Sequence, residues 1–140
     1  MNCSQIYIGL EFALDEIESE NFSVELISDG DVEFHSLKTI LKQNYIYYLA
    51  PHTGCGCGWE VLNTETEYDR RSKQSLKALE IFIKATCLNQ TAYILTCNQS
   101  AVGTIPEMQL ETNTEIFITN LERLRPKFGG TQARLHILKS

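Results

Sequence analysis

The first 37 residues contain no lysine or arginine. Nine carboxylates stand in that stretch, Glu11, Asp15, Glu16, Glu18, Glu20, Glu25, Asp29, Asp31 and Glu33, before Lys38 supplies the first basic group. Long apolar runs are missing too. The longest is Tyr45–Ala50, far short of the ~20 apolar residues a membrane helix needs. The start of the chain lacks a basic segment followed by an apolar one, so no secretory signal is expected there. No internal repeat, low-complexity tract or linker is visible. The five cysteines, Cys3, Cys55, Cys57, Cys87 and Cys97, cannot all pair with one another, which speaks against a disulfide framework. Together these absences predict a cytoplasmic protein with reduced thiols. Clustered lysine and arginine, the requirement for phosphate contacts, are lacking overall, so neither nucleic acid nor membrane is an expected partner.

What is present suits a single domain over 1–140. A chain of 140 residues buries roughly two-thirds of its unfolded surface, so it needs no metal or disulfide merely to fold. Its 43% hydrophobic and 21% charged residues are ordinary for an ordered globular protein. The net charge of −6 is uneven: Arg123, Arg125, Lys127, Arg134 and Lys139 face only Glu122 in the last twenty residues. That asymmetry implies an acidic face for a basic protein partner, two chain ends that meet, or a solvated surface. Asp15, Glu16, Glu18 and Glu20 are the candidate partner-binding residues. In size and charge the chain is similar to small acidic inhibitors of basic enzymes, the immunity-protein type.

Gln5–Leu10 and Ser23–Ile27 read as strands from their β-branched and aromatic content. Between them Phe12, Ala13 and Ile17 suggest a short helix, and Asp29-Gly30-Asp31 a turn. Leu37, Ile40 and Leu41 suit one or two helical turns. Tyr45–Ala50 is a nearly continuous apolar strand, the kind covered on both faces. Residues 65–88 predict a long helix, with Thr64 capping its first turn and Glu67 reaching back. Its buried stripe comprises Tyr68, Ser72, Leu76, Leu79, Ile83 and Cys87, and Glu67/Arg71, Asp69/Lys73 and Glu80/Lys84 are i,i+4 pairs. Ala92–Cys97 follows as a strand running parallel to Tyr45–Ala50. Glu115–Thr119 reads as a further strand, Pro126 and Gly129-Gly130 as chain breaks, and Ala133–Lys139 as a last strand with His136 on its outward phase. The fold class is therefore α/β (or α+β): a mixed sheet of about five strands, one long helix and one or two shorter ones.

Chemistry concentrates in His52-Thr53-Gly54-Cys55-Gly56-Cys57-Gly58. Parallel strands put this bend and Cys97 on one sheet edge, where ligand sites of α/β folds form. His52, Cys55, Cys57 and Cys97 are then candidate ligands of a closed tetrahedral site, and zinc is the cofactor such a set suits. Cys55-Gly56-Cys57-Gly58 also resembles the Cys-Gly-Cys-Gly motif of A-type iron–sulphur carriers. The match covers those four residues only, and it is central here, whereas the carriers place it near the C-terminus. A resemblance to that family implies thiolate ligation of a cluster. Two further readings remain open: thiol chemistry, with Cys55 and Cys57 forming a reversible disulfide or a nucleophile paired with His52, and a tight turn anchored by Trp59 with the cysteines as small packed hydrophobes. No third orienting group completes a catalytic set, so the reading leans away from an enzyme. The glycine spacing fits neither the dinucleotide fingerprint nor the Walker loop. Asp29, Asp31 and Glu33 lack the glycine and glutamate of a calcium loop. Tyr45, Tyr47 and Tyr48 read as sheet packing.

Overall fold

The computed structural model describes residues 4–61, 64–98, 108–119 and 133–139. The predicted breaks at Pro126 and Gly129-Gly130 lie outside those residues. The fold is the expected sheet with helices packed on it, and the sheet is larger than predicted. Seven strands are present: β1 (Ser4–Leu10), β2 (Ile17–Glu18), β3 (Phe22–Leu26), β4 (Tyr45–Pro51), β5 (Ala92–Asn98), β6 (Met108–Thr112) and β7 (Ala133–Leu138). Their spatial order is β2-β3-β4-β1-β5-β7-β6. Every described neighbour pair is antiparallel except β6 with β7.

The chain's first strand becomes the centre of the sheet. β1 pairs antiparallel with both β4 and β5, so those two run the same way with β1 between them. The predicted parallel relation thus holds, one strand apart. Alternation then sorts the side chains. Ile6, Ile8, Leu10, Tyr47, Leu49 and Ile94 face the long helix α2 (Glu67–Cys87), where Leu76, Leu79, Ile83 and Trp59 complete the larger core. Tyr7, Ile46, Leu95, Cys97, Ala133 and Leu135 face the other way, against Leu37 and Leu41 of α1 (Phe34–Leu41).

The cap of α2 sits two residues later than predicted. Thr66, not Thr64, accepts from the Asp69 amide, at 3.3 Å. The Asp69 carboxylate reaches back past the cap to accept from the Thr64 amide and hydroxyl, which ties the preceding residues to the helix start. Of the predicted ion pairs, Glu80–Lys84 forms, at 3.7 Å. Glu67 pairs with Arg70 instead, which frees Arg71 to cross to Glu20, 3.7 Å from its carboxylate.

Two segments differ from the sequence reading. Residues 11–16 are not helical. Gln90 clasps the backbone there, accepting from the Phe12 amide and donating to the Phe12 carbonyl at 3.0 and 3.1 Å. The Tyr47 hydroxyl likewise accepts from the Leu14 amide and donates to the Leu14 carbonyl. Side chains 33 and 78 residues away thus take backbone groups that a helix would use itself. Residues 114–119 form a short helix, α3, rather than a strand. Asn113 accepts from the Ile116 amide through its side chain, at 2.9 Å; this N-cap signal stands in the sequence ahead of the apolar residues. No described helix is long and apolar enough to cross a membrane.

Candidate functional site

The glycine- and cysteine-rich bend leaves the end of β4 and folds back onto the first turns of α2. The His52 amide donates to Ser75 Oγ at 3.0 Å, and the His52 Nε2 lies 3.1 Å from Ser72 Oγ. Tyr68 donates its hydroxyl to the Cys57 carbonyl at 2.8 Å, and its ring meets the His52 ring edge-on, centroids 4.9 Å apart. Gly54 takes a φ of +78°, a conformation open mainly to glycine. Gly58 has a different task. A Cβ there would stand 2.8 Å from Pro51 Cγ and closer still to Thr53 Oγ1. A single 3₁₀ turn, Gly56–Trp59, follows and delivers Trp59 fully buried into the core under α2. Composition at three positions is therefore explained by packing: glycine at 54 by backbone angle, glycine at 58 by close approach, tryptophan at 59 as anchor.

The same geometry separates the predicted metal ligands. His52 is held on the α2 side of the sheet, and its pKa is lowered by burial and then by the Arg71 charge. Cys55 is free and exposed and lines a groove on the opposite, α1 side. Cys57 is disulfide-bonded, against the expectation of reduced thiols, so its sulfur is no thiolate ligand. Cys97 does end β5 at the predicted edge, yet its thiol is buried in the α1-side core. Burial pushes its pKa up to about 12, the reverse of what a metal thiolate requires. Among the described residues no group of three or more His, Cys, Asp or Glu side chains is arranged to hold a metal ion. His52, Cys55, Cys57 and Cys97 do not fit zinc, and Cys55 with Cys57 does not fit the thiolate couple of an iron–sulphur carrier. A Cys55–His52 nucleophile pair is not assembled either: the imidazole bonds Ser72, and the Cys55 thiol lies 3.8 Å from Thr53 Oγ1.

The carboxylates of the N-terminal third come out differently. Glu16, Glu18 and Glu20 line one concavity, with Ser23, Glu25, Pro51, His52 and Gly54. Asp15, the fourth predicted contact residue, lies elsewhere, beside Leu14, Phe82 and Thr86. Glu16 also accepts from the Leu26 amide at 2.9 Å, which pins the β2 segment alongside β3.

A second concavity was not foreseen. It lies on the α1 face, about 580 Å³ in volume, lined by Gln5, Tyr7, Glu25, Ile27, Asp31, Glu33, Tyr48 and Cys55 among others. Strand register builds its floor: Glu25 is opposite Tyr48, and Tyr48 opposite Tyr7, in one row across β3, β4 and β1. The Tyr7 and Tyr48 rings pack 5.3 Å apart. Burial raises the Tyr48 pKa to about 12, helped by Cys55, Glu25 and Cys97. Tyr7 is raised further, by burial and then by Cys97, Glu33 and Tyr48. Both phenols stay neutral. Gln5 and Tyr7 are 7% and 6% exposed, and neither the Gln5 amide nor the Tyr7 hydroxyl bonds another described residue; their polar atoms keep contact with the groove rather than being sealed off. A sequence reading that treated the tyrosines as packing had no signal for this, because Gln5 looks like any strand-starting polar residue until register sets it beside Tyr7.

His136 corrects another expectation. It is buried, 3.2 Å from Thr96 Oγ1 and edge-on to Phe117 with centroids 4.9 Å apart. Both faces of β7 are covered, so this strand has no outward phase there. Comparison with protein-family models, with curated proteins and with solved structures yields no match to this chain.

Proposed function

We propose that this chain is a non-enzymatic acidic binding module that docks a basic protein surface on the β2–β3 end of its sheet. The observation that carries the reading is that Glu25 lines both concavities. Glu16, Glu18 and Glu20 on one side and Asp31 and Glu33 on the other thereby belong to one continuous acidic surface. Among the described residues no lysine or arginine lines either concavity. Ile17, Leu26 and Val32 are exposed along the same stretch, apolar contacts of the sort that accompany charge at an interface. Such a surface repels phosphate backbones and attracts cationic partners, chiefly by speeding encounter. The inhibitor class resembled in size and charge is one instance of such a module. The disulfide at Cys57 favours an oxidising compartment over the cytoplasm.

The test is fluorescence anisotropy with a labelled dodecapeptide of alternating arginine and glycine. Binding is expected to weaken steeply between about 50 and 200 mM salt, as screening shortens the reach of exposed charges. The combined variant Glu16→Gln, Glu18→Gln, Glu20→Gln is expected to bind at least several-fold more weakly. Salt-independent binding, or a triple variant as tight as the parent, would refute the reading.

A further inference from the structure

We infer that the groove on the α1 face is a site for a single guanidinium group on an alkyl stem, an arginine side chain or a small free guanidine. The inference rests on the acidic-module reading and gives it a point of specificity.

Several observations converge. Glu25, Asp31 and Glu33 surround the groove, so its occupant is cationic. Asp31 already accepts from the Ser28 amide and hydroxyl at 2.7 and 3.2 Å, whereas Glu25 and Glu33 have no ion pair among the described residues. Among the described residues no group of three or more His, Cys, Asp or Glu side chains is arranged to hold a metal ion. A compact ion is therefore poorly matched. A planar cation that spreads its charge over five N–H donors can reach separated acceptors at once.

The floor adds the specificity. Gln5 and Tyr7 are more than nine-tenths buried, line the groove, and make no side-chain hydrogen bond to another described residue. Their polar atoms are not among the solvent-excluded ones that lack a partner, so the Gln5 carbonyl and the Tyr7 hydroxyl open into the groove and can accept from a donor there. Tyr7 and Tyr48 also present rings, on which a guanidinium stacks more readily than an ammonium. Ile27 supplies an apolar wall for the alkyl stem. The neutral phenols keep the net charge of the site on the carboxylates alone.

Titration of the full chain with N-acetyl-arginine amide, followed by amide-resolved NMR, tests this. Saturable shifts are expected at residues 5, 7, 25, 27, 31–36, 48 and 55. N-acetyl-citrulline amide, nearly the same shape without the charge, is expected to bind at least tenfold more weakly. Glu33→Gln and Tyr7→Phe are each expected to weaken arginine binding several-fold, and circular dichroism checks that both variants fold. Tighter binding of an arginine-centred pentapeptide than of the capped residue identifies a protein side chain as the source. Equal binding identifies a free guanidine. Arginine and citrulline binding alike, shifts confined to residues 16–20, or no saturation would overturn the inference. If the arginine dodecapeptide still binds through Glu16, Glu18 and Glu20 in that case, the acidic-module reading survives alone; if it does not, both fall.

Discussion

Replacing glycine by alanine at three positions of this chain should give three different outcomes, although the chemical change is the same. At Gly58 a Cβ would meet Pro51 Cγ at 2.8 Å and Thr53 Oγ1 more closely still. Pro51 cannot yield, because its ring is rigid and its backbone pairs with Phe22 at the end of β4. Thr53 can rotate only by giving up its hydrogen bond to the Cys55 carbonyl, 2.8 Å long. Forcing a methyl into packed space costs about 1–3 kcal/mol, and the lost hydrogen bond about 1 kcal/mol more. Gly58→Ala should therefore cost about 2–4 kcal/mol, a drop in Tm of roughly 6–15 °C for a chain of this length. Gly54 has open space around it but a φ of +78°, so Gly54→Ala should cost about 1–2 kcal/mol through backbone strain alone. Gly30 has neither constraint, with nothing within 4 Å and no positive φ. Gly30→Ala should be neutral, or stabilising by up to about 1 kcal/mol through the unfolded state. Urea melts of the four proteins, fitted with a common slope, check the order. Should Gly58→Ala prove as mild as Gly30→Ala, the bend is not clamped between β4 and α2, and the packing account of its composition is wrong.

Other outcomes follow from the same structure. Burial, and then the Arg134 charge, lower the His136 pKa to about 4, below its unfolded value near 6.5. Its contribution is therefore complete above about pH 6.5 and is lost as pH falls towards 4, a change of about 3 kcal/mol at most; His136→Gln should flatten the stability profile over that window relative to the parent, and parallel profiles would refute the assignment. Iodoacetamide on the native protein, read by mass spectrometry, should label Cys55 well ahead of Cys87, which donates to the Leu138 carbonyl, and Cys97 only after unfolding. Labelling of Cys97 at the Cys55 rate would show that the α1-side core is open. Thr66→Ala should lower stability by about 1 kcal/mol through loss of the α2 cap, and an unchanged thermal midpoint would place the cap elsewhere.

Local pattern was enough wherever one element decides its own state. The continuous run Tyr45–Ala50, the stripe Ser72, Leu76, Leu79 and Ile83, and the return through Ala92–Cys97 can be read from the chain because their periods are set by backbone geometry. The acidic character of the first third is equally a property of the sequence, and Glu16, Glu18 and Glu20 do share a concavity. Glu115–Thr119 is helical rather than a strand because Asn113 caps the start of that turn, and this signal too is present in the chain.

Tertiary structure decided what depends on distant partners. Residues 11–16 are irregular rather than helical because Tyr47 and Gln90, remote in sequence, occupy their backbone groups. His52 and Cys55 part company because the bend straddles the sheet edge, anchored on one side by Ser72 and Ser75 and open on the other. Only strand register sets Gln5 and Tyr7 of β1 beside Tyr48 of β4 and Glu25 of β3. Sequence periodicity tells which residues share a face of one strand; it does not tell which strands become neighbours, and the polar groove is made between strands.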